Sequence, residues 1–275
     1  MKIKSNSSEL MPALWRSKVG HLTLVFPFFG RRVKIYRAEN STQVDFIQKA
    51  LQTPELAGYF HPLFFTFNRY LLAEWVRGAS CDTLPEQDQT RAIDWMVELQ
   101  SILHSQHLYE RDEQAGFDYL DHLENRLLRH APPEMDPDMI RQLRSLAGSP
   151  PVEQSRLSHP DITLRNSVLA QDSGRFKLID NELFTQSPHF LLDVFNTAFS
   201  LAPAPGLRRY YLERYASSQV RFSLRHGWES SLAAAWSLRL AGSHFQAGRL
   251  DEGLEVLRHW PEGNQDILEM LAKKQ

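Results

Sequence analysis

A segment beyond the middle of the chain holds polar side chains whose types and spacing suit a chemical step. His159, Asp161 and Asn166 follow the pattern His-x-Asp-x4-Asn, and Asp180 comes at the end of an apolar run further along. A carboxylate beside a hydroxyl can orient it or take its proton, and carboxylate and amide oxygens are the ligands that Mg²⁺ prefers. These are the groups that transfer of a phosphoryl group from a nucleotide to a hydroxyl requires.

Each of these residues has a simpler interpretation when it is taken alone. Pro160-Asp161 is a turn signal, and Asn166 is of a type that often forms turns. The chemical interpretation depends on two other residues. Asp180 follows them along the chain, and Lys34 stands in a strand-like segment near the start of the chain. Their order along the chain favours a site over a set of unrelated turns.

The elements that must position this segment are a hairpin and its neighbours. The segments 167–170 and 176–179 have strand character and flank Gln171-Asp-Ser-Gly174, which is a turn signal. The sequence therefore predicts a hairpin, with Asn166 just before its first strand and Asp180 at the end of the opposing strand.

The chain around this hairpin divides into two unlike parts. Residues 1–76 predict a small strand-rich lobe with one helix, and residues 77–275 predict a larger, mainly helical lobe that follows a connector at 76–80. The predicted strands of the first lobe are 21–26, 32–37, 63–68 and 70–76, with a turn around Gly30, and its helix is 41–51. The predicted helices of the second lobe begin at Pro85 and include 117–130, 137–146 and the chain from 191 onward.

These motifs together resemble the aminoglycoside phosphotransferase/choline kinase-like family of the protein-kinase-like superfamily. The family's loop usually reads His-Gly-Asp-Leu-His-x-x-Asn, and its metal strand ends in Ile-Asp-x-Glu. Here the two motifs are His159-Pro-Asp161-Ile-Thr-Leu-Arg-Asn166 and Ile179-Asp180-Asn-Glu182. The resemblance covers residues 15–200 and implies an α+β, bilobal protein-kinase-like fold, with a small β-rich N-lobe and a larger mainly helical C-lobe.

The resemblance also implies roles for the residues of the loop. Asp161 corresponds to the catalytic base or acceptor-orienting carboxylate, and His159 to the residue that braces the loop. Asn166 and Asp180 correspond to the ligands of Mg²⁺. Asp193, in Phe190-Leu-Leu-Asp193, resembles the buried aspartate that anchors the loop from the following helix. Glu182 is left open between a surface acid and a further metal ligand.

Two segments of the first lobe resemble the family's nucleotide-binding elements. Val33-Lys34-Ile-Tyr resembles the strand whose lysine holds the α- and β-phosphates of ATP. Glu74-Trp75-Val76-Arg-Gly78 resembles the hinge whose backbone meets adenine. The resemblance thus implies that ATP is bound by four residues: Lys34, Glu74, Trp75 and Val76.

The sequence departs from the family at two places. The glycine-rich phosphate loop is represented by Gly20 alone, which is nonetheless assigned to the nucleotide. The acidic partner expected for the lysine is left open among Glu39, Asp45 and Glu55. These gaps keep an alternative alive, a kinase-like pseudoenzyme that binds nucleotide or a partner without turnover.

The activity that the resemblance implies is transfer of the γ-phosphate of ATP to a hydroxyl of a small molecule or sugar. Aminoglycosides, choline-type amines, free sugars and lipopolysaccharide-core sugars are alternative acceptors. A cationic acceptor needs an acidic pocket, which four residues could form: Asp112, Glu113, Asp118 and Asp121. A lipid-linked sugar needs a basic, membrane-facing patch with peripheral membrane contact, which three residues could form: Arg208, Arg209 and Arg214.

Composition excludes several other classes. The 275 residues carry 31 Lys and Arg against 33 Asp and Glu, and a net charge of −2 argues against a general nucleic-acid binder. The single cysteine, Cys81, excludes an internal disulfide and a cysteine-based zinc site. No apolar run reaches the length of a membrane span, and the N-terminal residues lack the apolar stretch of a secretory signal, so we expect a cytoplasmic protein.

Overall fold

Five strands from the first 76 residues form one antiparallel sheet in the computed structural model. The structure describes residues 13–16, 22–28, 31–38, 41–110, 118–133, 135–181, 183–260 and 264–274. Within these ranges the strands are β1 Ala13–Arg16, β2 Leu22–Phe28, β3 Arg31–Arg37, β4 Leu63–Phe67 and β5 Tyr70–Glu74. Their order across the sheet is β1-β2-β3-β5-β4, so β3 is the central strand. All four strands that the sequence predicts here are confirmed, and β1 is added to them.

The helix α1, Ser41–Leu51, covers the bounds that the sequence predicts. Its buried residues include Val44, Phe46, Ile47 and Ala50, which recur at the spacing of one helix face. They belong to an apolar core that continues into the larger part of the chain. The small sheet and the helical part are therefore joined by packing as well as by the chain.

A second sheet lies at the start of the larger part. Its strands are β6 Gly78–Ser80, β8 Ser167–Ala170 and β9 Phe176–Leu178, in the order β6-β8-β9, and β7 Arg156–Ser158 pairs separately with β10 Thr185–Ser187. The predicted hairpin is confirmed as β8 and β9. The predicted connector at 76–80 is wrong for residues 78–80, because they form β6 and pair with β8.

Helices make up most of the larger part. In the described residues they are α2 Glu86–Leu103, α3 Tyr119–His130, α4 Pro137–Ala147, α5 Leu192–Ser200, α6 Pro205–Ala216, α7 Trp228–Gln246, α8 Leu250–Arg258 and α9 Gln265–Ala272. Asp118 and Asp136 accept hydrogen bonds from the first turns of α3 and α4, as N-cap residues do. The long helix α7 packs against α3, α4 and α8 and occupies the middle of this part.

The predicted α+β class, with a small strand-rich part and a larger helical part, is confirmed. The boundary at residues 76 and 77 stays a prediction. Among the helices that the structure describes, none combines the length and the apolar composition that crossing a bilayer demands.

Candidate active site

The loop between β7 and β8 places Asp161 and Asn166 side by side. Asn166 ends a 3₁₀ turn, Leu164–Asn166, whose first residue is preceded by a capping threonine, Thr163. The Asn166 side-chain Nδ2 donates to the carbonyl oxygen of Asp161 at 3.0 Å. This bond fixes the two residues relative to each other and leaves the amide oxygen of Asn166 as an acceptor for another group.

Asp193 holds the loop from the first turn of α5. It is 1% exposed and accepts hydrogen bonds from the backbone N–H of His159 at 2.8 Å and from the Ser158 hydroxyl at 2.8 Å. The anchoring aspartate that the resemblance indicates is thus present, in contact with the backbone of the loop.

A third partner of Asp193 was not expected from the sequence. His104, at the end of α2, lies 3.1 Å from the carboxylate through Nε2, and its Nδ1 lies 2.8 Å from the Tyr215 hydroxyl. The ring therefore donates to Asp193 and accepts from Tyr215, and it links α2 to α5 and α6. No local pattern marks it, since its partners are about 90 to 110 residues away.

His159 packs behind the loop. Its ring is 1% exposed, meets the Phe184 ring edge-on at 5.5 Å and lies 6.1 Å from the Phe60 ring. Neither ring nitrogen has a hydrogen-bond partner in the part of the chain that the structure describes. This environment suits the bracing role and offers no route for a proton.

The backbone of Ile179 joins three of the candidate residues. Its N–H donates to the carbonyl oxygen of Asn166 at 3.0 Å, and its own carbonyl oxygen accepts from Nζ of Lys34 at 3.1 Å. Asp180 is the next residue along the chain. The β8–β9 hairpin therefore brings Asn166 and Asp180 together, and Lys34 joins them from a strand 145 positions before Ile179.

The donor set at this point fits a divalent cation. Oδ1 of Asp180 is buried and has no hydrogen-bond partner among the described residues, which is costly for a carboxylate oxygen unless a cation or water occupies its lone pairs. Asn166, whose backbone carbonyl oxygen accepts from the N–H of Ile179, has a side-chain amide oxygen as well, so both side chains offer oxygen atoms of the type that Mg²⁺ takes. Within the described ranges no group of three or more His, Cys, Asp or Glu is placed to hold a metal ion, and Glu182 lies outside them.

Lys34 lies on the central strand, opposite Ala73 of β5. Its side chain is half-buried, and its Nζ is 4.9 Å from the centre of the Tyr36 ring. Of the three acids considered as partners, Asp45 and Glu55 are exposed and Glu39 lies outside the described residues. No ion pair of Lys34 is seen in the described part of the chain.

The hinge residues cross from one sheet to the other. Glu74 ends β5 and pairs with Val33, while Gly78 begins β6, so residues 75–77 bridge two different sheets. Trp75 is 37% exposed and Val76 is half-buried. Gly20, the glycine assigned to the phosphate loop, lies outside the described residues.

One residue of the site has no signal in the sequence. Arg239, in the middle of α7, is 7% exposed, and its Nη2 donates to Oδ1 of Asp161 at 2.6 Å. Burial alone would raise the pKa of Asp161, but the charge and hydrogen bond of Arg239, with smaller contributions from His159 and Arg126, hold that pKa below its ordinary value. Asp161 is therefore ionised over the whole neutral range.

Two of the four acids considered for a cationic acceptor, Asp118 and Asp121, lie at the start of α3. Asp118 caps α3 and Asp121 pairs with Arg144 at 2.7 Å. Asp112 and Glu113 lie outside the described residues. Asp118 and Asp121 therefore both stabilise α3 through these contacts.

The three arginines proposed for a basic patch each have a carboxylate partner. Arg208 pairs with Asp266, Arg209 lies 3.9 Å from Glu213, and Arg214 pairs with Asp94 at 2.7 Å. These pairs offset the positive charge of α6. The helix thus presents no excess of positive charge from these arginines.

Comparison with known proteins agrees with this architecture. No family model matches the sequence, and no curated protein is similar to it. Among solved structures, choline kinase LicA from Streptococcus pneumoniae superposes with a TM-score of 0.60 at 12% identity, over 90% of this chain and 94% of that one. Aminoglycoside phosphotransferase APH(4)-Ia superposes with a TM-score of 0.58 at 14% identity, over 98% of this chain and 94% of that one.

The chain has a protein-kinase-like fold. The resemblance read from the motifs is confirmed at that level, since the similar structures are a choline kinase and aminoglycoside phosphotransferases. LicA has been solved with AMP, and APH(4)-Ia with ADP or AMP-PNP together with hygromycin B. At these identities the likeness is one of fold, and the roles of individual residues rest on the geometry described above.

Proposed function

We propose that this protein is an ATP-dependent phosphotransferase, a kinase that acts on an alcohol hydroxyl. The observation that carries the proposal is the junction at Ile179, where Lys34 and Asn166 meet beside Asp180. Binding of a nucleotide with its metal ion needs a positive charge against the phosphates and oxygen ligands for the metal. Lys34 offers the charge, and the Asn166 amide and the Asp180 carboxylate offer the oxygen atoms. The kinase-like fold and its nucleotide-bound neighbours support ATP as the donor.

The nucleotide is held between the small sheet and the larger part. Lys34 pairs with the α- and β-phosphates, and the backbone of Glu74, Trp75 and Val76 meets adenine. Gly20 is assigned to the phosphates as well. Asp180 and Asn166 would hold Mg²⁺, which would supply positive charge against the phosphate oxygens.

The acceptor hydroxyl lies against Asp161. The hydroxyl oxygen forms a bond to the γ-phosphorus while the bond from that phosphorus to the bridging oxygen breaks, and the electron pair leaves with ADP. Asp161 orients the hydroxyl or takes its proton, and Lys34 stabilises the phosphate charge. His159 and Asp193 keep the loop in place beneath it.

The acceptor class is a small molecule or a sugar. Choline and hygromycin B, named for similar structures, are small polar molecules, which supports this class. A lipopolysaccharide-core sugar is the less favoured member of it, because the arginines expected to face a membrane are paired. A cytoplasmic location, where ATP is abundant, fits the same function.

The test is ATP turnover by the purified full chain with Mg²⁺ and a panel of aminoglycosides, choline-type amines, free sugars and core sugars. We expect turnover with at least one acceptor, and a loss of about 100-fold or more in kcat for Asp161→Asn, since positioned acid–base groups contribute about 10²–10⁴-fold. Binding of AMP-PNP should be retained. Asp172→Asn, in the exposed turn between β8 and β9, is the matched control.

One outcome would replace the proposal with the pseudoenzyme alternative. Mg²⁺-dependent ATP binding without turnover on any acceptor, unchanged by Asp161→Asn, would show that the site binds nucleotide and does not transfer phosphate.

A further inference from the structure

Arg239 is the point where four segments of the larger part meet. From α7 its guanidinium donates to Asp161 and Pro160 of the loop, to Asn196 of α5 and to the Tyr119 hydroxyl of α3. The contacts to Asn196 are doubled, from Nε at 3.0 Å and from Nη2 at 2.7 Å. Such a fork fixes the guanidinium in orientation as well as in position, which a lysine could not do.

Arg239 and Asn196 both donate to the same oxygen of the Asp161 carboxylate. Oδ1 accepts from Nη2 of Arg239 at 2.6 Å and from Nδ2 of Asn196 at 3.4 Å. No donor in the described part of the chain bonds to Oδ2, and the Asp161 side chain is 27% exposed. A carboxylate held through one oxygen cannot rotate freely, so its second oxygen keeps a fixed direction.

We propose that Arg239 is a positioning residue, which clamps Asp161 through Oδ1 and leaves Oδ2 to orient the acceptor hydroxyl. The inference rests on the proposed function, because it assigns the acceptor to Oδ2. Of the two roles left for Asp161 it takes the orienting one, because a carboxylate hydrogen-bonded to a fixed guanidinium keeps a set direction. The hydroxyl proton then leaves on an oxygen of the transferred phosphoryl group.

Arg126, on α3, contacts α7 beside Arg239. It donates from Nη2 to the Arg239 carbonyl oxygen and to the Ser243 hydroxyl, one turn further along α7. Arg126 therefore links α3 to the backbone of α7, and neither bond involves the guanidinium that holds Asp161.

The test compares Arg239→Gln with Arg239→Lys and with Ser243→Ala, which removes a polar contact of the same α3–α7 interface and leaves the Asp161 clamp intact. For Arg239→Gln we expect kcat to fall about 10-fold to 100-fold, as misplacing a catalytic group does. The KM for ATP should not change, and the acid limb of the kcat profile should move to higher pH. Arg239→Lys keeps the positive charge but lacks the several donors of the guanidinium. In this variant the acid limb of the kcat profile should lie close to that of wild type, while kcat recovers only in part.

A second measurement does not need turnover. The ¹³C carboxyl signal of Asp161, identified by its loss in Asp161→Asn, should titrate at lower pH in wild type than in Arg239→Gln. If the Asp161 signal titrates at the same pH in wild type and in Arg239→Gln, the clamp is wrong. It is also wrong if the acid limb of the Arg239→Gln profile does not move and kcat falls only in proportion to the fraction of unfolded protein. If wild type turns over no ATP, the proposed function fails by itself, and the titration still decides what Arg239 does to Asp161.

Discussion

Nζ of Lys34 donates a hydrogen bond to the carbonyl oxygen of Ile179 at 3.1 Å, between residues 145 positions apart. This contact places the central strand of the small sheet against the residue before Asp180. The Lys34 ammonium group thus contacts the residue next to Asp180, whose Oδ1 has no hydrogen-bond partner among the described residues. In the proposed function the phosphates of ATP bind at these two side chains.

Removing the Lys34 charge should weaken both nucleotide binding and transfer. For Lys34→Met we expect kcat/KM for ATP to fall about 100-fold, since one charge-assisted contact to phosphate is worth roughly 3 kcal/mol. Steady-state kinetics and titration with AMP-PNP measure the two effects. Lys177→Met is the matched control, because Lys177 on β9 also donates to a backbone carbonyl, that of Gly58, but is not assigned to the nucleotide. Equal losses in the two variants would contradict the role of Lys34.

Replacing Asp193 should loosen the loop that carries Asp161. Asp193→Asn removes the charge that accepts from His104, Ser158 and the His159 backbone, and we expect unfolding free energy to fall by roughly 3 kcal/mol. Urea unfolding gives the value. Asp94→Asn breaks the exposed pair with Arg214 and should cost less than about 1 kcal/mol. If Asp193→Asn and Asp94→Asn unfold at similar urea concentrations, Asp193 does not anchor the loop.

A side chain at Gly78 has no room. An added Cβ would lie 2.1 Å from the carbonyl oxygen of Leu169 on β8, so the pairing of β6 with β8 depends on glycine. We expect Gly78→Ala to lower the free energy of unfolding by roughly 1–3 kcal/mol, the usual cost of overpacking. Gly206→Ala in α6, where nothing lies within 4 Å, is the control and should be neutral or slightly stabilising. A Gly78→Ala protein as stable as wild type would contradict the close packing.

Most of the elements could be predicted because their signals are local. The bounds of α1 match the prediction, and β8 and β9 form at the predicted segments, since alternation, helical spacing and turn residues act over a few positions. The spacing of His159, Asp161 and Asn166 was readable for the same reason. Asp193 was found only through the resemblance.

The features that escaped prediction are long-range. Arg239 sits in a helix with no motif around it, and it matters only because α7 brings it to Asp161, 78 residues earlier in the chain. His104 also has no motif around it, and its role depends on Asp193 and Tyr215, which lie 89 and 111 residues later in the chain. The strand β6 is too short to show a pattern and exists because β8 offers it an edge.

Two buried histidines should make the protein sensitive to acid. Burial, opposed by the bond from Nε2 to the Ala147 carbonyl oxygen, lowers the pKa of His189 to about 4, and burial with the charge of Lys34 lowers the pKa of His61 to about 3. The unfolded chain binds these protons near pH 6.5 and the folded chain does not, so stability present above pH 6.5 is lost as the pH falls toward those values.

The histidine contribution can be isolated with one variant. From pH 7 to pH 5 each histidine should cost roughly 2 kcal/mol of unfolding free energy. In His189→Gln that part of the pH dependence should disappear, because glutamine can keep the donor to Ala147 without titrating. Urea unfolding at the two pH values measures the difference, and His226→Gln, at an exposed position, is the control. If His189→Gln loses as much stability between pH 7 and pH 5 as wild type does, the buried neutral ring is not a source of the acid sensitivity.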